Sequence, residues 1–167
     1  MKLQNYRKGF ESFLKLERSL SENSVQAYLR DVDKLIQFLE LSEKDYGPNE
    51  IKSDHLSDFV SWLYDLGISA RTQARIISGI KAFYKYLLLE NIATEDPTTL
   101  IEGPKIGMKI PEFLSIDEID QIIAAVDLSK KEGERNRAII ETLYSCGLRV
   151  SELIGLQISN ILLEEGF

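Results

Sequence analysis

A mainly α-helical chain built from two units is the fold class that the sequence predicts, and three observations predict it. Apolar residues recur with helical spacing almost without interruption from Tyr6 to Glu90. Periodicity then stops across residues 91–112, which hold three of the four prolines (Pro97, Pro104, Pro111) and two glycines. Beyond that break, Ser115-Ile116-Asp117-Glu118 opens a second set of helices. With 167 residues, 44% of them apolar, the chain has enough material to bury a core.

The elements follow in order. A first helix is predicted over residues 3–18, with Tyr6, Phe10, Phe13, Leu14 and Leu16 supplying its apolar surface. Ser21 or Asn23 can cap a second helix over residues 24–40. Its stripe is Val25, Leu29, Val32, Ile36 and Leu39, which leaves Gln26, Arg30, Asp33 and Gln37 outside. Ser42–Lys52, with Gly47-Pro48, reads as a loop. Ser53 begins a third helix that turns Leu56, Phe59, Val60, Leu63 and Leu66 inward and ends at Gly67. Ser69 caps a fourth, running to about Glu90. After the proline-rich break, Ser115 and Glu118 make a capping box, with Leu114 and Ile119 as its hydrophobic staple. Helices are then expected to about Val126, over residues 135–146 and over 150–156, and Ile158–Leu163 reads as a strand. The predicted domains are residues 1–92, a linker at 93–112, and 113–167.

Composition excludes several classes. No apolar run reaches the roughly 20 residues of a membrane span, and the first residues lack the apolar block of a secretory signal. One cysteine excludes an internal disulfide, and a single histidine beside it argues against zinc. A soluble, cytoplasmic protein without metal is expected.

The net charge of −7 speaks against nucleic acid, but the charge is segregated. Residues 1–35 hold seven Lys/Arg against five Asp/Glu, and 69–86 hold four against none, whereas 36–68 hold two against seven. On the fourth helix Arg71, Arg75, Ser78, Ala82 and Lys85 fall within a stripe of roughly 80°, flanked by Thr72 and Lys81. No carboxylate occurs from Ile68 to Leu89. Ordinary solvated faces mix signs, while basic stripes with small residues between them suit a phosphate backbone. On the second helix Ser24, Gln26 and Arg30 can reach base edges in a major groove. Asp31 and Asp33 keep a plain solvated surface open there as an equal alternative.

In the second unit a helix ends at Gly147, Arg149 follows in the bend, and Glu152 comes one turn later. Arginine's planar fork grips two phosphate oxygens and stays ionised. A carboxylate three residues on can hold the guanidinium or a backbone amide in place. As a bare pattern this is weak, since a C-capping glycine before a surface arginine looks the same. His55 reads as a surface or capping residue, Trp62 as core, Tyr28, Tyr84 and Tyr144 as helix-packing residues, and Cys146 as a small packed side chain.

Extended similarity changes the weight of that pattern. Residues Arg135–Leu156, centred on Cys146-Gly147-Leu148-Arg149-Val150-Ser151-Glu152-Leu153, resemble the first catalytic box of the tyrosine site-specific recombinases, nearest to their bacterial Xer type. So do Leu20-Ser21-Glu22-Asn23-Ser24-Val25-Gln26-Ala27-Tyr28 with Arg30-Asp31, the Arg71–Tyr86 helix, Asp96-Pro97, Pro104-Lys105 and Leu114-Ser115. Ser145-Cys146 departs from the Ala-Thr common before Gly-Leu-Arg, a small steric change.

The resemblance implies a SAM-like helical core-binding bundle followed by the first helices and first strand of an incomplete α/β catalytic domain. It implies a clamp around duplex DNA and attack by a tyrosine that leaves a 3′-phosphotyrosyl link, with no metal or other cofactor. Arg149 takes the place of the phosphate-stabilising arginine and Glu152 that of a supporting acid. Ser24, Gln26, Arg30, Arg71, Thr72, Arg75, Lys81 and Lys85 are the expected DNA contacts. The family's hairpin lysine, His-x-x-Arg pair and nucleophilic tyrosine have no counterpart in these 167 residues, so an inactive DNA-binding fragment is expected. Implied partners are a dif-like site, related subunits in a tetrameric synapse and a septal DNA translocase. The implied setting is the bacterial nucleoid, and the implied task is chromosome dimer resolution. A mobile-element integrase, a non-enzymatic DNA-binding regulator and a helical protein-interaction domain are the alternatives.

Overall fold

Helices form where spacing and caps place them. The computed structural model describes residues 2–41, 46–107 and 110–161. The chain divides into two units, Met1–Met108 and Lys109–Phe167.

The first unit opens with a helical run that changes pitch twice. A 3-10 turn at Leu3–Tyr6 leads into α1 at Arg7–Ser12 and then a π segment at Phe13–Glu17. Arg18 N closes the wide last turn on Phe13 O at 3.1 Å. Phe10, Phe13 and Leu14 are buried, but Leu16 is 80% exposed and is not part of the apolar face expected for it. A π turn holds more than 3.6 residues, so it rotates the residues after Leu14 out of phase.

Helix α2 spans Glu22–Glu40 and is capped by Ser21, whose Oγ accepts from Ser24 N at 3.4 Å. Of the two candidate caps, Ser21 is the one used. Of the expected loop at 42–52, residues 42–45 lie outside the described residues. Helix α3 spans Ser53–Asp65 and stops before Gly67, whose φ of 72° belongs to the left-handed region. Leu66, expected to face inward, is exposed because it lies past the last turn as the C-cap. His55 Nδ1 accepts from Lys52 N at 3.1 Å, a capping role. Helix α4 spans Ala70–Leu89, with Ser69 Oγ accepting from Thr72 N at 3.4 Å.

Burial follows the pleating of these helices on one another. Val25, Leu29, Val32 and Leu35 of α2 meet Ile76, Ile80, Phe83, Tyr84 and Leu87 of α4 in one core. Phe10 meets Phe83 edge-on at 5.1 Å between centroids and Tyr86 at 5.6 Å. A side chain at Gly9 would collide with the Tyr86 hydroxyl, so the glycine lets α1 approach that ring. Trp62 lies partly buried against Phe38 and Phe59. Tyr84 is fully buried and donates to Pro48 O at 3.3 Å; burial, with help from Asp96, pushes its phenol upward.

The stretch after α4 is fastened to this unit. Asn49 Oδ1 accepts from Thr94 N at 2.8 Å, and Asn49 Nδ2 donates to Ile92 O at 3.2 Å. Ala93 and Thr98 are buried, and Ile101 packs against the core. The first part of the segment predicted as a linker is therefore packed chain.

In the second unit α5 spans Ile116–Ala124, α6 Gly133–Cys146 and α7 Val150–Ile154. Ser115 and Glu118 form the expected capping box: Ser115 N donates to Glu118 Oε2 at 2.7 Å and Glu118 N to Ser115 Oγ at 3.3 Å. Packing is another matter. Among the described residues of this unit only Gly133 is buried. Cys146 and Tyr144, expected as packed side chains, are exposed.

The strand predicted at Ile158–Leu163 begins instead as a 3-10 turn at Ile158–Asn160, and its last residues lie outside the described ones. Among the described residues there is no strand. Among those residues no neighbouring strand completes a ladder, and Asn160 N closes locally on Gln157 O at 2.9 Å. Among the described residues no helix is long and apolar enough to cross a membrane.

Candidate nucleic-acid interface

The outer faces of α2 and α4 carry the charged residues singled out above, and the two helices cross closely. Gly79 makes the approach possible. A Cβ there would run into the Asp31 carboxylate, coming within 2.9 Å of its Cγ. Asp31 is consequently 3% exposed. Arg75, one turn before Gly79, reaches the same carboxylate: NH1 lies 2.6 Å from Oδ1 and donates to Oδ2 at 2.8 Å. The directed hydrogen bond goes to Oδ2, so Oδ1 has ionic contact without a hydrogen-bond partner. Burial pushes the Asp31 carboxyl up to about 6 from the ordinary 3.8, with Arg75 pulling the other way.

Ser24, Ala27, Tyr28, Asp31, Arg75 and Ser78 line one groove of about 190 Å³. The fold thus brings Ser24 and Arg75 together from two helices. Arg71, Lys85 and Arg30 are exposed. Gln26 Nε2 donates to Glu22 Oε1 at 2.8 Å, and Thr72 sits in the α4 cap beside Ser69. Lys81 Nζ donates to Ile101 O at 2.9 Å, so this ammonium secures the chain after α4. Asp33 is gripped by Arg7 through a fork, Nε to Oδ1 at 2.6 Å and NH2 to Oδ2 at 3.0 Å. Both carboxylates weighed as solvated surface are therefore ion-paired.

The bend in the second unit is built locally. Gly147 takes φ 61°, which ends α6 and redirects the chain. Arg149 then adopts an extended backbone as the N-cap of α7. Glu152 holds both of its ends: Oε2 accepts from Arg149 N at 2.7 Å and Oε1 from NH1 at 2.9 Å. The arginine side chain stays 82% exposed, with one edge of the guanidinium tied and the rest open to solvent. Such a clasp can present a fixed cation to an anion.

The burial of Asp31 and its pairing with Arg75 are what sequence reasoning missed. One signal was available, since an interior helix glycine costs about 1 kcal/mol against alanine and marks a close neighbour. Gly79, four residues after Arg75, is that signal.

Two family descriptions fit this architecture. The family described as phage integrase, N-terminal SAM-like domain, matches residues 8–91, and the phage integrase family matches 112–167. The chain belongs to the phage integrase family, the tyrosine recombinases. It is similar to tyrosine recombinase XerD of Oceanobacillus iheyensis, 39% identical over 158 residues, covering 95% of this chain and 53% of the relative. Tyrosine recombinase XerD of Staphylococcus haemolyticus is 39% identical over 155 residues, covering 93% and 52%. Among solved structures, a crystal structure of XerA recombinase aligns with TM-score 0.48 and 27% identity over 98% of this chain and 54% of that one. The chain spans about half the length of the curated relatives it matches.

Proposed function

We propose that α2 and α4 grip duplex DNA, and that Arg149 with Glu152 forms one phosphate-binding corner of a tyrosine recombinase. In intact form that enzyme cuts and rejoins DNA through a 3′-phosphotyrosyl link, using no metal. The observation that carries the reading is the outer face of α4. It has no carboxylate of its own and exposes Arg71 and Lys85, beside a groove shared with Ser24 of α2. The names of the relatives support the same chemistry. Arg30 and Gln26 of α2, with Arg75 of α4, supply the contacts that can read base edges. Thr72 and Lys81 flank them. Arg149 stabilises charge on the scissile phosphate, and Glu152 fixes its orientation. A dif-like site, related subunits in a tetramer and a septal translocase complete the reading, with chromosome dimer resolution as the task at the nucleoid.

Binding of the 167-residue chain to a duplex of about 30 base pairs tests it. Affinity is expected to fall as salt rises, because phosphate contacts release counterions. Arg71→Ala combined with Lys85→Ala should flatten the log–log slope by about two units if each cation neutralises one phosphate. A salt-independent affinity, or an unchanged slope in the double variant, would remove the interface. The same 167 residues are expected to form no covalent adduct with a nicked suicide duplex.

A further inference from the structure

We propose that Asp31 is a specificity-determining residue: by anchoring Arg75 in the groove between α2 and α4, it exchanges that guanidinium's free charge for a fixed orientation. This rests on the DNA-binding reading above. A free surface arginine binds any phosphate and loses rotamer freedom when it does. Arg75 differs on both counts. Its charge is balanced at 2.6 Å by a carboxylate that is itself 3% exposed, so water reaches the pair only from the arginine's side. Only NH1 is used, and among the described residues Nε and NH2 make no hydrogen bond. Half of the side chain remains exposed at the groove, whose other walls include the small residues Ser24, Ala27 and Ser78. A nucleic-acid edge can therefore come close and meet two donors whose direction is already set. Gly79 is what admits the carboxylate to this position.

The anchored state recognises by geometry, and the released state attracts by charge. Release accompanies protonation of Asp31. The charged groups bearing on this carboxyl are Arg75 from α4 and Arg30 from its own helix, with Tyr28 lining the same groove. His55, the single histidine, is engaged in the α3 cap at Lys52. The carboxyl titrates at about 6, so a pH change from 7.5 to 5.5 crosses the transition.

The test uses the 167-residue chain, a duplex enriched by the wild-type chain from a random-sequence pool, and a scrambled duplex of equal composition. Asp31→Asn keeps the side-chain shape and removes the anchor's charge. At pH 7.5 it is expected to tighten binding to the scrambled duplex and steepen its salt slope by about one unit. It should also cut the ratio of enriched to scrambled affinity about tenfold, the worth of one oriented contact. The wild type at pH 5.5 should shift toward the same values, while Asp31→Asn stays constant across that pH range. Circular dichroism of Asp31→Asn matched to the wild type keeps a folding defect apart from loss of the anchor, and the pH response counts only where Asp31→Asn lacks it. Unchanged slope and ratio in a folded Asp31→Asn would overturn the anchoring alone. A wild type that binds neither duplex at low salt would remove the DNA-binding reading, and the anchoring with it.

Discussion

The two units obey the same sequence rules and reach different ends. Helix α4 turns Ile76, Ile80, Phe83 and Leu87 into a closed core. Helices α5 to α7 carry apolar residues at similar spacing, yet Ile116, Val150 and Ile154 are 67%, 63% and 79% exposed. Local caps nonetheless form there: the Ser115–Glu118 box opens α5, Gly147 in the left-handed region closes α6, and Glu152 holds Arg149 at the start of α7. Capping is satisfied within a few residues of chain, whereas burial needs a second surface. Periodicity therefore announces which face wants covering, and only tertiary structure covers it.

Truncation of large side chains breaks this contrast most forcefully. Phe83→Ala, at a fully buried ring, is expected to cost about 3–5 kcal/mol. Ile139→Ala, at a 38% exposed site in α6, should cost under about 1 kcal/mol. Denaturant unfolding read by Trp62, the single tryptophan, reports the first change directly. Equal losses would mean that the second unit has a core of its own.

A smaller effect comes from adding one methyl group. Gly79→Ala should destabilise the first unit by about 1–3 kcal/mol through collision with Asp31, despite alanine's better helix propensity. Gly155→Ala meets only ordinary contacts, the nearest being Ser151 O at 3.4 Å, and should be neutral or slightly stabilising. Circular dichroism melts of both variants measure the difference. A tolerated Gly79→Ala would show that the α2–α4 crossing has room to spare.

The smallest change is confined to the second unit. Ser115→Ala removes the α5 cap and should cost that helix about 1 kcal/mol. Hydrogen exchange should quicken at the first amides of α5 while the Trp62 unfolding transition stays in place. A shifted Trp62 transition would show the two units to be thermodynamically joined.

Features set by neighbouring residues were legible in the sequence. Ser21, Ser69, Ser115 and Gly147 mark helix ends because each acts on backbone within one turn. Glu152 was legible for the same reason: three residues from Arg149, it reaches both the amide and the guanidinium. The Asp31–Arg75 pair spans 44 residues, so no local pattern reports it. Asn49 and Thr94 are 45 apart, which hid the packing of the chain after α4 behind its proline-rich composition. The strand expected from Ile158 depended on a partner that no run of residues can supply by itself.

The wide turn at Phe13–Glu17 has a consequence for chain length. It absorbs one residue more than an α-turn, and the surplus comes to the surface at Leu16. Before it Phe10, and at its start Phe13 and Leu14, keep their places against the core; after it, Leu20 resumes packing. A one-residue change at Lys15–Glu17 is expected to leave Phe13 and Leu14 in place, because the backbone there can widen or tighten around exposed side chains. The lapse of helical phase at residue 16 is thus a register adjustment written into the backbone, made at an exposed side chain.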